Sequence, residues 1–193
     1  MRRRRILPLA LLLLGAGSIV AAPTRREMDE ARSTLTVRVS KAGLFSAFGH
    51  NHVIRAPLAQ GSFEESVGLP SVELEVDARQ LQVLDSDLSA KDRSEVQQTM
   101  LGPSVLDSEK FSTIRFRSLT VEETGAGKWR VHGDLTLRGQ SRAVLMEVTG
   151  GAGHYRGSAT VKQSDFGIQP VSAAGGTIKV KDEVRVEFEI FGR

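Results

Sequence analysis

The sequence predicts an all-β fold, a single antiparallel up-and-down β-barrel with one short helix, and three observations carry that expectation. Apolar residues recur at every second position through most of the chain, glycine-rich turns separate these runs at short intervals, and one interval alone switches to helical spacing. The 193 residues are 40% apolar and 25% charged, which suits one domain with a sizeable core. No cysteine is present, so disulfide scaffolds, zinc ribbons, iron–sulfur clusters, thiol nucleophiles and lipid-modified cysteine anchors are excluded.

Residues 1–22, MRRRRILPLALLLLGAGSIVAA, have a basic start, an apolar run from Ile6 and small residues at Ala21 and Ala22. These are the three parts of a secretory signal peptide. The apolar run is about 17 residues, interrupted by Pro8, Gly15 and Gly17, against the roughly 20 that cross a bilayer core, so a cleaved signal is expected rather than an anchor. Pro23 disfavours a cut after Ala22 and moves the expected site to Ala21. The mature chain is then expected to be periplasmic or secreted. Removing Arg2, Arg3, Arg4 and Arg5 from the 26 basic residues leaves 22 against 23 acidic ones, so the formal +3 becomes −1 and no basic field for nucleic acid survives.

Residues 23–33 are polar and are expected to form a mobile stretch before the barrel, residues 34–193. Leu35, Val37 and Val39 alternate with polar neighbours, as do Val72, Leu74 and Val76, then Ile114 and Phe116, then Trp129, Val131, Leu135 and Leu137. The same period returns in Tyr155, Ala159 and Val161 and in Val184, Val186, Phe188 and Ile190. One face of each strand is dry and the other wet. Turns are expected at Gly125-Ala126-Gly127, Gly150-Gly151-Ala152-Gly153 and Gly175-Gly176. About eight or nine such strands make a sandwich or a barrel, and clean single-face alternation favours the barrel, which removes exposed edges. Ser89 to Leu101 breaks the period: Ser89 is an N-cap with Asp92 three residues on, Val96 and Met100 share a face, and Gly102-Pro103 ends the helix.

Five stretches, in order, resemble the YceI-like family: SVELEVDA from Ser71, VLDSEKFSTIRFRS from Val105, GDLTLRG from Gly133, DFGI from Asp165 and VKDEVRV from Val180. The resemblance runs from about Ser33 to the C-terminus. It implies an extended lipocalin-like barrel whose interior holds an isoprenoid or another long-chain lipid. Where many members carry V-x-H-x-G, this chain reads Val39-Ser40-Lys41-Ala42-Gly43, followed by the unusual GHNH of Gly49 to His52. The expected ligand is a polyprenyl phosphate, a quinone or a fatty acyl compound. Transient membrane contact is compatible with that role, no cofactor is expected, and the oligomeric state is left open.

The candidate ligand-binding residues are His50, His52, Phe45, Phe48, Lys41, Trp129 and Phe166. His50 and His52 stand two apart, which on a strand turns both imidazoles to one face with Phe48 and Ile54. They suit a headgroup contact, a locally satisfied rim pair, or two nitrogens of a metal or haem site. The metal reading needs further ligands, and His132 and His154 fall on polar faces. Lys41, Arg115, Arg117 and Arg138 are cationic candidates for an anionic head, yet alternation turns Arg115 and Arg117 towards solvent. Phe45, Phe48, Phe63 and Phe166 read as core or cavity wall. Trp129, the one tryptophan, faces inward.

Asp165 in DFGI reads as a turn-stabilising carboxylate, since no glycine-rich loop, strand lysine or HRD accompanies it. A hydrolase is the alternative class, but no G-x-S-x-G, H-E-x-x-H, P-loop or dinucleotide fingerprint occurs. A scaffold acting through the barrel exterior is a third class, and the wet faces there mix Lys, Arg, Glu and Asp without a long apolar run. Binding, not turnover, is the expected activity.

Overall fold

The computed structural model describes residues 25–42, 51–65, 70–173 and 178–193. The signal-peptide reading, the turn at Gly175-Gly176 and the candidates Phe45, Phe48 and His50 lie outside the described residues. The rest forms one twelve-stranded antiparallel sheet. Its strands are β1 (Arg25–Glu27), β2 (Thr34–Ala42), β3 (His52–Arg55), β4 (Leu58–Glu64), β5 (Ser71–Asp77), β6 (Gln82–Val83), β7 (Thr113–Gly125), β8 (Lys128–Leu137), β9 (Gln140–Gly151), β10 (His154–Lys162), β11 (Ser172–Ala173) and β12 (Ile178–Phe191). Neighbours run β1-β4-β5-β7-β8-β9-β10-β12-β2-β3-β6, with β11 pairing on β12.

The sheet curls until its edge meets its own body. Met28, just past β1, bridges to Gly192, the Asp29 N–H donates to the Phe191 carbonyl at 2.7 Å, and the Arg193 N–H donates to the Glu27 carbonyl at 2.9 Å. The polar stretch expected to be mobile therefore contributes, in Arg25–Glu27, an edge strand of the fold. Its one large apolar side chain, Met28, just past that strand, is 1% exposed and belongs to the main core cluster. Burying one such residue is worth about 1.5–3 kcal/mol, enough to hold a short edge in place.

Every inward position expected from alternation in β2, β5, β7, β8, β10 and β12 faces the interior, and several of their outward neighbours form cross-strand ion pairs. Arg115 pairs with Glu75, Arg117 with Glu73 at 3.0 Å and Arg38 with Glu187 at 2.7 Å, so Arg115 and Arg117 are solvent-facing as alternation requires. Such exposed pairs contribute at most about 1 kcal/mol each. Two inward positions carry glycine where a side chain is expected. A Cβ on Gly133 would overlap the Phe116 ring and the Arg117 carbonyl oxygen, and one on Gly157 would stand 2.6 Å from the Glu147 carbonyl oxygen and 2.5 Å from the Phe188 ring. Both glycines let an aromatic ring lie flat against the wall.

Among the described residues there is one α-helix, α1 (Ala90–Leu101). Ser89 caps it as expected, its hydroxyl oxygen accepting the Asp92 N–H at 3.1 Å. The helix and the loop after it cover one end of the barrel with Met100, Val105 and Leu106. Arg138 fixes that cover, donating to the Gly167 carbonyl at 2.6 Å and the Pro103 carbonyl at 2.8 Å. The 3-10 turn Gln163–Phe166 completes it. The carboxylate that steadies this turn is Asp182, not Asp165: Asp182 accepts the Ser164 N–H at 2.8 Å and the Ser164 hydroxyl at 2.6 Å, whereas Asp165 is exposed. Asp165 is the carboxylate nearest in the chain, but the β12 bulge between Val180 and Val184 brings a more distant one to the turn.

Candidate functional site

The interior of the barrel holds a cavity of about 850 Å³, near the upper end of the range for small-molecule sites. Its wall is built by residues of nine strands, among them Val37, Leu74, Phe116, Val131, Ala159 and Val186. At the end covered by α1 the wall residues Leu81, Met100, Leu106 and Ile168 are all buried. At the other end Ser71, Glu123, Gly151 and Ala152 are exposed wall residues, so the cavity reaches the surface there. The mouth thus lies between Glu65 and Pro70, at the ends of β4 and β5, and the β7–β8 and β9–β10 turns. The β7–β8 hairpin overhangs it, because β7 runs on to Gly125 while its described pairing with β5 ends at Glu73 opposite Arg117.

A hydrogen-bonded knot centred on Glu65 holds the mouth. Its carboxylate accepts the Tyr155 hydroxyl at 2.6 Å, the Gly153 N–H at 2.8 Å and the Arg26 Nε at 2.9 Å. One side chain therefore ties β4, the edge strand β1, the β9–β10 turn and β10 together. Burial opposes ionisation of Glu65, but the bonds from Tyr155, Gly153 and Arg26 outweigh it and hold the carboxyl below its usual range. Burial, with the Glu65 carboxylate beside it, pushes the Tyr155 phenol well above its ordinary value, so it stays a donor. Its ring meets Phe63 edge-on at 5.4 Å between centroids.

Of the residues singled out from sequence, Trp129 is on the cavity wall near the mouth, its Nε1 donating to the Gly150 carbonyl at 3.4 Å. Phe166 is 1% exposed and packs behind the wall with Val161, Ile168 and Val184. His52 stands opposite Val39, a wall residue, but is not itself on the wall. Its Nδ1 is 2.6 Å from the Asp85 carboxylate, which is 1% exposed and also accepts the Val53 N–H at 2.8 Å. Lys41 lies at the same covered end and off the wall, its N–H donating to the Asn51 side-chain oxygen at 3.1 Å. The structure brings His52 and Asp85 together across 33 residues of sequence, off the cavity wall that carries Trp129.

Among the described residues no three His, Asp or Glu side chains come together as a metal site. Tyr155 is inward by strand parity alone, and no sequence pattern marks Glu65, Arg26 or Glu123. The one signal available was a single tyrosine at an inward position next to a glycine turn.

A curled antiparallel sheet around one apolar interior, capped at one end by a helix and open at the other, defines a lipocalin-like barrel. The chain belongs to the YceI-like domain family, whose match spans residues 27–191. A UPF0312 protein of Vibrio cholerae serotype O1 (strain M66-2) is 30% identical over 119 residues, 56% of this chain, and the chain spans 59% of that relative's length. The crystal structure of Burkholderia cenocepacia BcnA superposes with a TM-score of 0.60 at 18% identity, covering 84% of this chain and 98% of that one. The Campylobacter jejuni YCEI protein gives 0.53 at 12% identity, covering 72% of this chain and 81% of that one. At these identities the two structures speak for the fold.

Proposed function

We propose that this protein binds and carries a hydrophobic ligand with a long aliphatic chain, of the polyprenyl phosphate, quinone or fatty acyl type, and does not turn it over. The observation that carries this reading is the cavity of about 850 Å³ walled by Val, Leu, Ile, Met and Phe. Each methylene moved from water into such a wall is worth about 0.8 kcal/mol, so affinity grows with chain length alone. The ligand enters at the mouth by Trp129, its chain fills the barrel towards Leu106 and Ile168, and its polar end stays near Glu65 and Tyr155. Export behind residues 1–22, to the periplasm or the medium, fits a carrier that meets lipid outside the cytoplasm, and belongs to the same proposal.

The test is titration of the protein with dodecan-1-ol, followed through Trp129 fluorescence, in the wild type and in Ala159→Phe. Ala159 is an 8% exposed wall residue, so the phenylalanine ring occupies ligand space. Saturable binding by the wild type is expected, with the variant at least about tenfold weaker because the ring displaces two or more methylenes. A wild type that shows no saturable binding, by fluorescence or by calorimetry, refutes the proposal.

A further inference from the structure

The charge of the mouth selects among the ligand classes just named. Every charged residue on the described cavity wall is acidic: Glu64, Glu65 and Glu123. No Lys, Arg or His is on that wall among the described residues. All three carboxylates stand at the open end. Glu64 pairs across strands with Ser71, whose residue is an exposed part of the rim. Glu123 lies opposite Trp129 on the overhanging hairpin and follows Val121 on the inward face. Glu65 is offset by Arg26 at 2.9 Å, so its charge is largely answered within the protein. Neither Glu64 nor Glu123 has an ion-pair partner among the described residues; Glu64 stands opposite Arg25 in the β1–β4 register, and Arg25 is paired with Glu27 at 3.3 Å.

A ligand whose chain fills the barrel leaves its head at this rim, and a phosphate or carboxylate head there meets the carboxylate of Glu123, which no described cation pairs, and that of Glu64, which faces Arg25 across the strands without an ion pair. An uncharged head meets the Ser71 hydroxyl and carboxylate acceptors, and an ammonium head gains two ion-pair partners. We infer that the cavity takes amphiphiles with an uncharged or amine-bearing polar end and disfavours those with an anionic one. This inference rests on the lumen reading above and narrows it: among the classes proposed, a quinone-like or alcohol-headed chain fits the rim, and a polyprenyl phosphate or free fatty acid does not.

The experiment compares dodecylamine, dodecan-1-ol and dodecanoate, which share one chain and differ in head charge, binding to the full chain at neutral pH and low salt with Trp129 fluorescence as the readout. The expected order is amine, then alcohol, then carboxylate, with dodecanoate about threefold or more weaker than dodecylamine. Two exposed like-charge contacts are worth that much. Added salt compresses the spread, since the rim is wet. The Glu64→Gln/Glu123→Gln double variant brings the amine and carboxylate within about twofold of each other, which a head bound elsewhere would not produce. Dodecanoate binding as tightly as dodecylamine, or a spread unchanged in the double variant, overturns the inference while leaving the lumen reading standing. Failure of all three probes to bind overturns the lumen reading itself.

Discussion

Replacing Glu65 by glutamine tests how the mouth of the barrel is held shut against the edge strand. The carboxylate accepts three bonds, from Tyr155 at 2.6 Å, Gly153 at 2.8 Å and Arg26 at 2.9 Å, and its side chain is only 20% exposed. Hydrogen bonds to a charged acceptor contribute about 1.5–3 kcal/mol each, while glutamine keeps one acceptor oxygen and forfeits the ion pair. The surviving oxygen recovers part of the network, so Glu65→Gln should lower stability by about 2 kcal/mol. For a chain of this size that is a fall in Tm of roughly 4–8 °C.

The pH dependence has a definite sign. The folded carboxyl is held below its usual value, so its contribution is complete above the unfolded value of about 4.3 and drains away as pH falls through the folded one. Urea unfolding of wild type and variant should show the full gap at neutral pH and a narrowing gap in acid. A gap below about 0.5 kcal/mol at neutral pH, or one that stays constant in acid, refutes the reasoning.

Three further substitutions bear on other parts of the fold. Gly133→Ala drives a methyl group into the Arg117 carbonyl and the Phe116 ring, and should destabilise by about 1–3 kcal/mol in chemical unfolding; a neutral result would mean that β7 and β8 slide apart freely. His52→Ala leaves the 1% exposed Asp85 carboxylate with the Val53 N–H and without its imidazole partner, and should lower stability by about 1–3 kcal/mol; unchanged stability with weakened ligand binding would instead make His52 a ligand contact. Ser89→Ala removes the α1 cap and should lower Tm by about 2–4 °C in calorimetry, and no change would show that the helix is held by its packing alone.

The barrel was legible because its strands bury one face against the cavity, which forces an apolar residue at every second position and leaves the alternate ones to ion pairs such as Arg38–Glu187. Trp129 and the cap at Ser89 follow from strand parity and capping chemistry. Three things were not legible. The edge strand β1 depends on one methionine in a polar run, and its place is set by a bridge to Gly192 at the far end of the chain. The His52–Asp85 pair and the Glu65–Tyr155 pair join residues 33 and 90 apart, which no local pattern encodes. The acidic rim is hidden for a different reason: Glu64 closes β4 and Glu123 lies near the end of β7, where glutamate reads as ordinary wet surface, and the register shift between Ser118 and Thr120 moves the inward positions of β7 from even to odd numbers and so puts Glu123 on the wall.

The central claim is that the apolar cavity is a place for a ligand. Native mass spectrometry of the full-length protein, as purified and after incubation with excess dodecan-1-ol, followed by solvent denaturation of the same samples, measures this directly. The account predicts a stoichiometric adduct, either a co-purified lipid or the added alcohol, that is released on denaturation and reduced in Ala159→Phe. The bare protein mass in both native samples would contradict it.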